Sequence, residues 1–578
     1  MIPLIQFFSG IPFGLLLPFL PVDLTKEPAF CQVIISEVMA DPSPAVRLPE
    51  AEYVELYNRG NTAVSLAGWK LAFGSHNETL TAFTLEPDNF LIICESGTET
   101  SFSEHGKTMA LSNMPALVNT GQTLTLRSAS GMVIHTVSFS PDWFSTPEKA
   151  EGGWSLEIID PDNPCGYAEN WHESENQQGG TPGSVNSVKD FNPDRQSPRL
   201  LRATLPNDSS VMLLFNERMD SLSANSPLLY SADGGLLHPL QVIPKAPDYS
   251  SVMLTYPKRF QPYVMHTITV LNTLKDCVGN TLNPNSLARF ARPRIAESFD
   301  VIFNEVLFDA VSGTSEFIEL YNRSSKVLDL ADFSISLADK HTGDITRRIL
   351  LQDHPFLLFP DGYAVITRDA SKLRNNNDPW VQQVVLEEDG LFSLPDEEGI
   401  LVLVYGQSLT MDEFHYYRTM QDELLAAPEG VSLERVDSGK PASAPMNWHS
   451  ASTAAGYSTP GRKNSQAFTS GISAEDVTVQ PGMISPDNDG VDDYTTIQVQ
   501  PGTPGWMATI QIFDKNGNKI RTLASNTLLG TGDCFTWDGT GDDLQSVPLG
   551  IYLIYVEIFS ETGAAKKIKK VVTLTKRL

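Results

Sequence analysis

The sequence predicts an all-β chain built as tandem β-sandwiches, and three observations carry that expectation. Forty glycines and 39 prolines are spread along 578 residues, which suits many short strands joined by tight turns. Polar and apolar residues alternate over short runs. In Tyr53-Val54-Glu55-Leu56-Tyr57, Val54 and Leu56 share one face and Tyr53, Glu55 and Tyr57 the other. Segments with helical periodicity are scarce, the best being residues 411–427, read as an excursion from a loop. A chain of this length is too long for one core, and ordinary domain sizes suggest about four domains.

The first element, residues 1–31, reads as an export-signal-like segment. Residues 11–20 (IPFGLLLPFL) form an apolar run, and Ala29 and Cys31 place small residues just before Gln32. No Lys or Arg precedes Lys26, so the usual basic start is missing. The run is too short and too rich in proline for a spanning helix, and no other segment is long enough to cross a membrane.

A long-range duplication sets the architecture of the rest of the chain. IISEVMADP at 34–42 is answered by VIFNEVLFDA at 301–310, and EYVELYNRG at 52–60 by EFIELYNRS at 316–324. GGWSLEIID at 152–160 is answered by EGVSLERVD at 429–437, NWHES by NWHSA, and TPGSVNS at 181–187 by TPGRKNS at 459–465. The offset drifts from 268 residues at Glu37/Glu305 to 277 at Trp171/Trp448, as short loop insertions in one repeated plan would produce. The copies are placed at 32–188 and 298–466. Each reads as β: strands are expected at 64–71 around Trp69, at 90–94 and 123–126, and in the second copy at 363–367 and 400–405. Strands of this length and spacing indicate a sandwich.

These motifs, from the E-V-M-x-D-P start through E-x-x-E-L-Y-N to the closing N-W-H and T-P-G, resemble the lamin-tail domain of bacterial secreted proteins. The resemblance covers about 150 residues in each copy. It implies an immunoglobulin-like β-sandwich used for interaction or display, without a catalytic centre of its own.

Residues 196–292 differ in character. Phe215-Asn216-Glu217-Arg218-Met219-Asp220, Tyr263 with His266-Thr267-Ile268-Thr269, and Asp276-Cys277-Val278-Gly279-Asn280 resemble a bacterial Ig-like domain of surface-layer and adhesin type. Polar stretches at 187–197 and 465–474 fit domain junctions. The last domain, 475–578, carries SPDNDGVDD at 485–493, the hairpin signal Asn516-Gly517, then Trp537-Asp538-Gly539 and Pro548-Leu549-Gly550. It resembles the C-terminal Ig-like domain of gliding-motility-associated proteins and the Ig-like part of the flagellar hook-capping protein. The resemblance implies a tag for type IX secretion and surface attachment.

Seventy acidic against 41 basic residues give a net charge of −29, which repels nucleic acid overall. The one dense basic run, Lys566, Lys567, Lys569 and Lys570, reads as a solvated terminal strand. Five cysteines at 31, 94, 165, 277 and 534 form no zinc-type spacing. Separate buried thiols are expected, with Cys94–Cys165 the one bridge considered.

Asp487, Asp489, Asp492 and Asp493 place four carboxylates within seven residues, a donor set for calcium. The competing reading is an Asx-turn loop whose side chains cap their own backbone. The loop does not follow the EF-hand pattern, and Asp533, Asp538, Asp542 and Asp543 form a second acidic group. Trp171 and Trp448 read as core anchors, with His172 and His449 at a sandwich edge. The repeated glutamates, Glu37 with Glu305 and Glu55 with Glu319, suggest paired-carboxylate hydrolysis. The pairs fall in separate copies, so hydrogen bonding to a neighbouring loop is expected instead. Serine-elbow, HExxH and phosphate-loop motifs are absent from the sequence.

The expected function is a non-catalytic secreted or cell-surface scaffold that binds an envelope or extracellular protein or a polysaccharide. Type IX machinery is the export partner, and no nucleic acid is engaged. The alternative is an extracellular hydrolase of nuclease or phosphoesterase class, or an accessory subunit of one, since lamin-tail domains accompany nucleases.

Overall fold

A computed structural model describes residues 32–576 apart from 354, 374–377, 389, 426, 468–475 and 562. The export-signal expectation for 1–31, Cys31 included, lies outside the described residues, as does most of the junction at 465–474. The protein is 41% strand and 7% helix, which bears out the all-β class.

In the first copy a six-stranded sheet runs in the order Trp171–Glu173, Leu156–Ile158, Val33–Met39, Tyr53–Asn58, Phe90–Glu95, Thr108–Leu111. A four-stranded sheet runs Val133–Phe139, Gln122–Arg127, Lys70–Phe73, His76–Thr79. Val54 and Leu56 from the first sheet and Leu71, Leu124 and Leu126 from the second meet in one core, as two facing sheets with period-two alternation require.

The second copy repeats the plan. Its six strands run Trp448–Ser450, Leu433–Arg435, Val301–Leu307, Phe317–Asn322, Tyr363–Thr367, Val385–Glu387, and its four-stranded sheet pairs Phe333–Ala338 with Ile345–Leu350 and Glu398–Tyr405. The register repeats as well: a bulge falls between Ile35 and Glu37 in one copy and between Phe303 and Glu305 in the other. In each six-stranded sheet one peripheral pairing is parallel, Phe90–Glu95 with Thr108–Leu111 and Tyr363–Thr367 with Val385–Glu387.

Between the copies, Leu200–Asn207, Ser210–Phe215, Ser251–Thr255 and Gln241–Pro244 form one sheet, and Tyr230–Ala232, Met265–Val270 and Ser286–Ala291 a second. Their core extends onto Val327 and Leu357 of the second copy. At the C-terminal end a three-stranded sheet, Val477–Gln480, Thr495–Val499, Asp533–Trp537, faces a five-stranded one built on Trp506–Phe513 and Gly550–Ser560. Trp537 is fully buried between them.

Two expectations are corrected. The described residues of 411–427 form no α-helix: Leu409–Tyr417 is a strand paired with Glu398–Tyr405, followed by a 3-10 turn at Arg418–Met420. Phe414 and Tyr416 alternate into the core, Met411 joins them beside a register shift, and this burial outweighs the residues' helical tendency. The cysteine pairing also differs, since Cys165 bonds Cys277, joining the end of the first copy to the middle domain, while Cys94 is a buried thiol and Cys534 an exposed one.

Candidate functional site

The bulges at 35–37 and 303–305 bring three glutamates into line on three adjacent strands. Glu37 stands opposite Glu55 on one side and Glu157 on the other, and Glu305 stands likewise between Glu319 and Glu434. All six are fully buried. Alternation places Glu55 on one face with Tyr53 and Tyr57, and that face is roofed by the segment beginning at the repeated T-P-G, a neighbouring loop of the kind the glutamates were expected to bond.

The roof is a tight turn with Pro second and Gly third. Ser184 N–H donates to the Thr181 carbonyl at 3.0 Å, Arg462 N–H donates to that of Thr459 at 3.0 Å, and Gly183 and Gly461 take φ of +79° and +74°. That is the residue order a type II turn requires. A Cβ on Gly183 would lie 2.1 Å from the His105 carbonyl oxygen, so glycine is demanded by space as well as by φ.

The turn hangs on the glutamates. Glu37 Oε1 accepts from Tyr53 Oη (2.6 Å), Ser155 Oγ (2.6 Å) and Thr181 N–H (2.8 Å). Glu55 accepts from Ser36 Oγ (2.8 Å) and Gly183 N–H (2.5 Å), and Glu157 from Ser187 N–H (2.6 Å) and Oγ (2.8 Å). In the second copy Glu305 accepts from Ser432 and Thr459, Glu319 from Asn304 and Gly461, and Glu434 from Ser465 and Gln466.

The geometry of each trio calls for a shared proton. Thr181 Oγ1 lies 3.3 Å from Glu37 Oε2 and 2.9 Å from Glu157 Oε1, and Thr459 Oγ1 lies 3.0 Å and 2.7 Å from the matching oxygens. One hydroxyl hydrogen cannot serve two carboxylates, so one carboxyl donates in return. The electrostatics agree: burial, then the charge of Glu157, pushes Glu37 up to about 7, and burial, then Glu434, pushes Glu305 up to about 8. Burial, then the central glutamate of each trio, holds Glu55 and Glu319 well above the usual carboxyl range. The sequence offers these residues as equivalents in two copies and favours bonding to a neighbouring loop; the folded chain groups them within each copy and bonds them to the T-P-G turn. It also adds Glu157 and Glu434, whose signal was present in the repeated S-L-E.

The remaining sequence candidates lie apart. Asp487, Asp489 and Asp493 bring carboxylate oxygens within 4.8 Å of one another, and Asp492 is outside that group. Asp493 accepts the N–H groups of Asp487, Asn488 and Gly490, while Asp487 accepts from Asp489 N–H and Asp489 from Val491 N–H. Asp492 contributes its carbonyl to Ser485 N–H, at a φ of +56°. The Asp487 and Asp489 bonds are those of Asx-turns, whereas Asp493 reaches back to N–H groups three to six residues earlier. In the second acidic group, Asp533 is buried and bonds Gly530 N–H, Asp538 pairs with Arg521, and Asp542 and Asp543 accept from separate backbone N–H groups.

Trp171 and Trp448 are buried, as expected of core anchors. His172 Nδ1 sits beside the Glu173 carbonyl. Burial alone would raise Glu173, but hydrogen bonds from Ser145 and Thr146 outweigh it and hold that carboxyl at about 2. A buried imidazole that sequence reasoning missed, His135, receives Ile35 N–H on Nδ1 (3.2 Å) and therefore donates from Nε2 to the Pro164 carbonyl (2.8 Å). In the second copy Phe303 N–H finds Asp412 instead, ion-paired with buried Arg435 at 2.6 Å. The basic run lies on the strand Ala565–Leu574, with Lys566 paired to Asp476 and Lys567 to Glu557. A crevice of about 970 Å³ opens where the first copy, the middle domain and the second copy meet, lined among others by Tyr167, Asp194, Arg202, Glu217 and Gln382.

No curated protein matches the chain. Among solved structures, the N-terminal part of the bacterial S-layer protein SbsC aligns at 11% identity over 38% of this chain and 44% of its own, with a TM-score of 0.17. PorZ, a surface component of the type-IX secretion system of Porphyromonas gingivalis, aligns at 11% identity over 80% and 70%, with a TM-score of 0.16. A Ca²⁺-stabilized adhesin of an Antarctic bacterium aligns at 9% over 94% and 99%, with a TM-score of 0.11. The chain thus spans under half of the SbsC fragment. No helix among the described residues is long and apolar enough to cross a membrane. Two family models do match: residues 26–141 are a Lamin Tail Domain and residues 478–574 a CHU_C Type IX secretion signal domain, which makes this a secreted or surface-attached protein.

Proposed function

We propose that the chain is a non-catalytic surface scaffold whose sandwiches present loops to an envelope or extracellular protein or to a polysaccharide. The observation that carries this reading is the use made of the buried glutamates. The groups best suited by type to acid-base chemistry are sealed from solvent in both copies and spent on holding a turn. The C-terminal secretion signal domain supports delivery to the outer surface through type IX machinery.

Fractionation of the native host tests delivery: the intact chain is expected at the surface or in the medium, and a chain lacking 478–574 is expected to stay inside the cell. Recovery of the intact chain only from the cytoplasm would refute the reading. Binding is tested by pull-down of envelope extract and matrix polysaccharide on the full chain, with retention on one of them expected.

The hydrolase reading has one observation in its favour. Burial, then the charges of Asp194 and Asp276, pushes Glu217 up to about 8 at the wall of the crevice, and a carboxyl so placed is a candidate acid. Turnover of DNA or a phosphodiester by the purified chain, lost in Glu217→Gln, would replace the scaffold reading.

A further inference from the structure

The junction between the first copy and the middle domain gathers three carboxylates from three chain segments. Asp194 comes from the linker, Glu217 from the end of the strand Ser210–Phe215, and Asp276 from the loop before Gly279. The last two segments are tied together, with Met219 bridged to Asp276 and Cys277 N–H donating to the Arg218 carbonyl. Asn280 Nδ2 reaches the Asp194 carbonyl at 3.4 Å. One carboxylate oxygen from each acid lies within 4.8 Å of the other two, and among the described residues no Lys or Arg ion-pairs with any of them.

A second observation separates this cluster from an ordinary acidic surface. Asp276 is only 2% exposed. Its Oδ1 is satisfied by the N–H groups of Val278 (3.0 Å), Gly279 (2.7 Å) and Asn280 (2.8 Å), yet its buried Oδ2 has no hydrogen-bond partner. A buried carboxylate oxygen without a partner, beside two more carboxylates, lacks a positive charge. Oxygen donors alone, three of them anionic, suit a hard divalent cation of calcium type, with water completing six to eight ligands. Asp194 and Glu217 line the crevice, which gives an ion a path from solvent.

We propose that Asp194, Glu217 and Asp276 form a calcium-type cation site that fastens the inter-domain linker to the middle domain. The Cys165–Cys277 bridge ties the end of the first copy to the middle domain one residue away from Asp276. Ion and disulfide together would fix this junction in an oxidising, calcium-containing exterior.

The test uses the full chain stripped with chelator and titrated with calcium chloride by calorimetry, alongside limited proteolysis of the linker at 187–197. Wild type is expected to bind calcium at this site and to resist linker cleavage at least tenfold longer when loaded. Glu217→Gln and Asp194→Asn are each expected to weaken the site at least tenfold and to abolish the calcium-dependent protection. Asp194 lies on the linker, outside the packed cores, so its variant remains informative if changes at Asp276 unfold the domain. Asp489→Asn, in the distant exposed loop, should leave the protection intact. Equal isotherms and equal protection for wild type and Glu217→Gln, or linker cleavage indifferent to calcium in wild type, would overturn the proposal.

Discussion

Replacing Glu37 with Gln should remove an alkaline weakness from the first sandwich. The folded value of Glu37, about 7, lies above its ordinary 4.5, so the folded state keeps a proton that the unfolded state gives up. The stabilisation is therefore complete below pH 4.5 and is lost as pH rises through 7. Over that interval the loss is ~3 kcal/mol at about 1.4 kcal/mol per pH unit, or on the order of a hundredfold in the opening equilibrium. Gln places an acceptor where Oε1 takes three hydrogen bonds and a donor where Oε2 faces Thr181 Oγ1. It thus reproduces the protonated state at every pH. A chain of several domains does not unfold in one step, so the assay is hydrogen exchange of the peptide covering 176–188, corrected for the intrinsic rate. Wild type should lose protection on the order of a hundredfold between pH 5 and pH 8.5, and Glu37→Gln should lose almost none. The same pH slope in both proteins would refute the shared-proton account.

Three further outcomes are expected. Gly183→Ala should cost about 3 kcal/mol, because a Cβ meets the His105 carbonyl oxygen at 2.1 Å, whereas Gly131→Ala, at φ +86° with open space around it, should cost about 1; equal losses of hydrogen-exchange protection in the first sandwich would contradict this. Burial, then the charge of Arg218, holds His135 at about 3, so its contribution is complete above pH 6.5 and falls away toward pH 3, by about 3 kcal/mol at pH 4; unchanged exchange in the strand Val133–Phe139 between pH 7 and pH 4 would argue against it. Peptide mapping of exported protein should recover Cys165 linked to Cys277, and Cys277→Ser should destabilise the junction by about 5 kcal/mol given the 112-residue separation; recovery of Cys94 linked to Cys165 would reverse the assignment.

The fold was legible because its signals are local. Alternation in 53–57 and turn residues at 516–517 each report on a few neighbouring residues, and the sheets obey them. The failures were also local signals, overruled by distant partners. Residues 411–417 joined a strand because Glu398–Tyr405 stood ready to pair with them. Cys165 found Cys277 across a domain junction that spacing alone could not bring within a Cα separation of 6.3 Å.

The carboxylate trios were half legible, for a reason that reaches beyond this chain. Periodicity reads one strand at a time, so it places Tyr53 and Glu55 on one face without naming the loop that covers it. The cover for that face arrives more than a hundred residues later, as Thr181, Gly183 and Ser187. The duplication held the missing information, since the three glutamates and the T-P-G turn recur together in both copies while His135 gives way to Asp412 with Arg435. The recurring set is the one whose members bond one another; the variable part is a single backbone N–H that either an imidazole or a carboxylate can satisfy. The trio and its turn therefore act as one unit, and a substitution in any member should be felt first in the hydrogen exchange of the turn, before it reaches the two-sheet core.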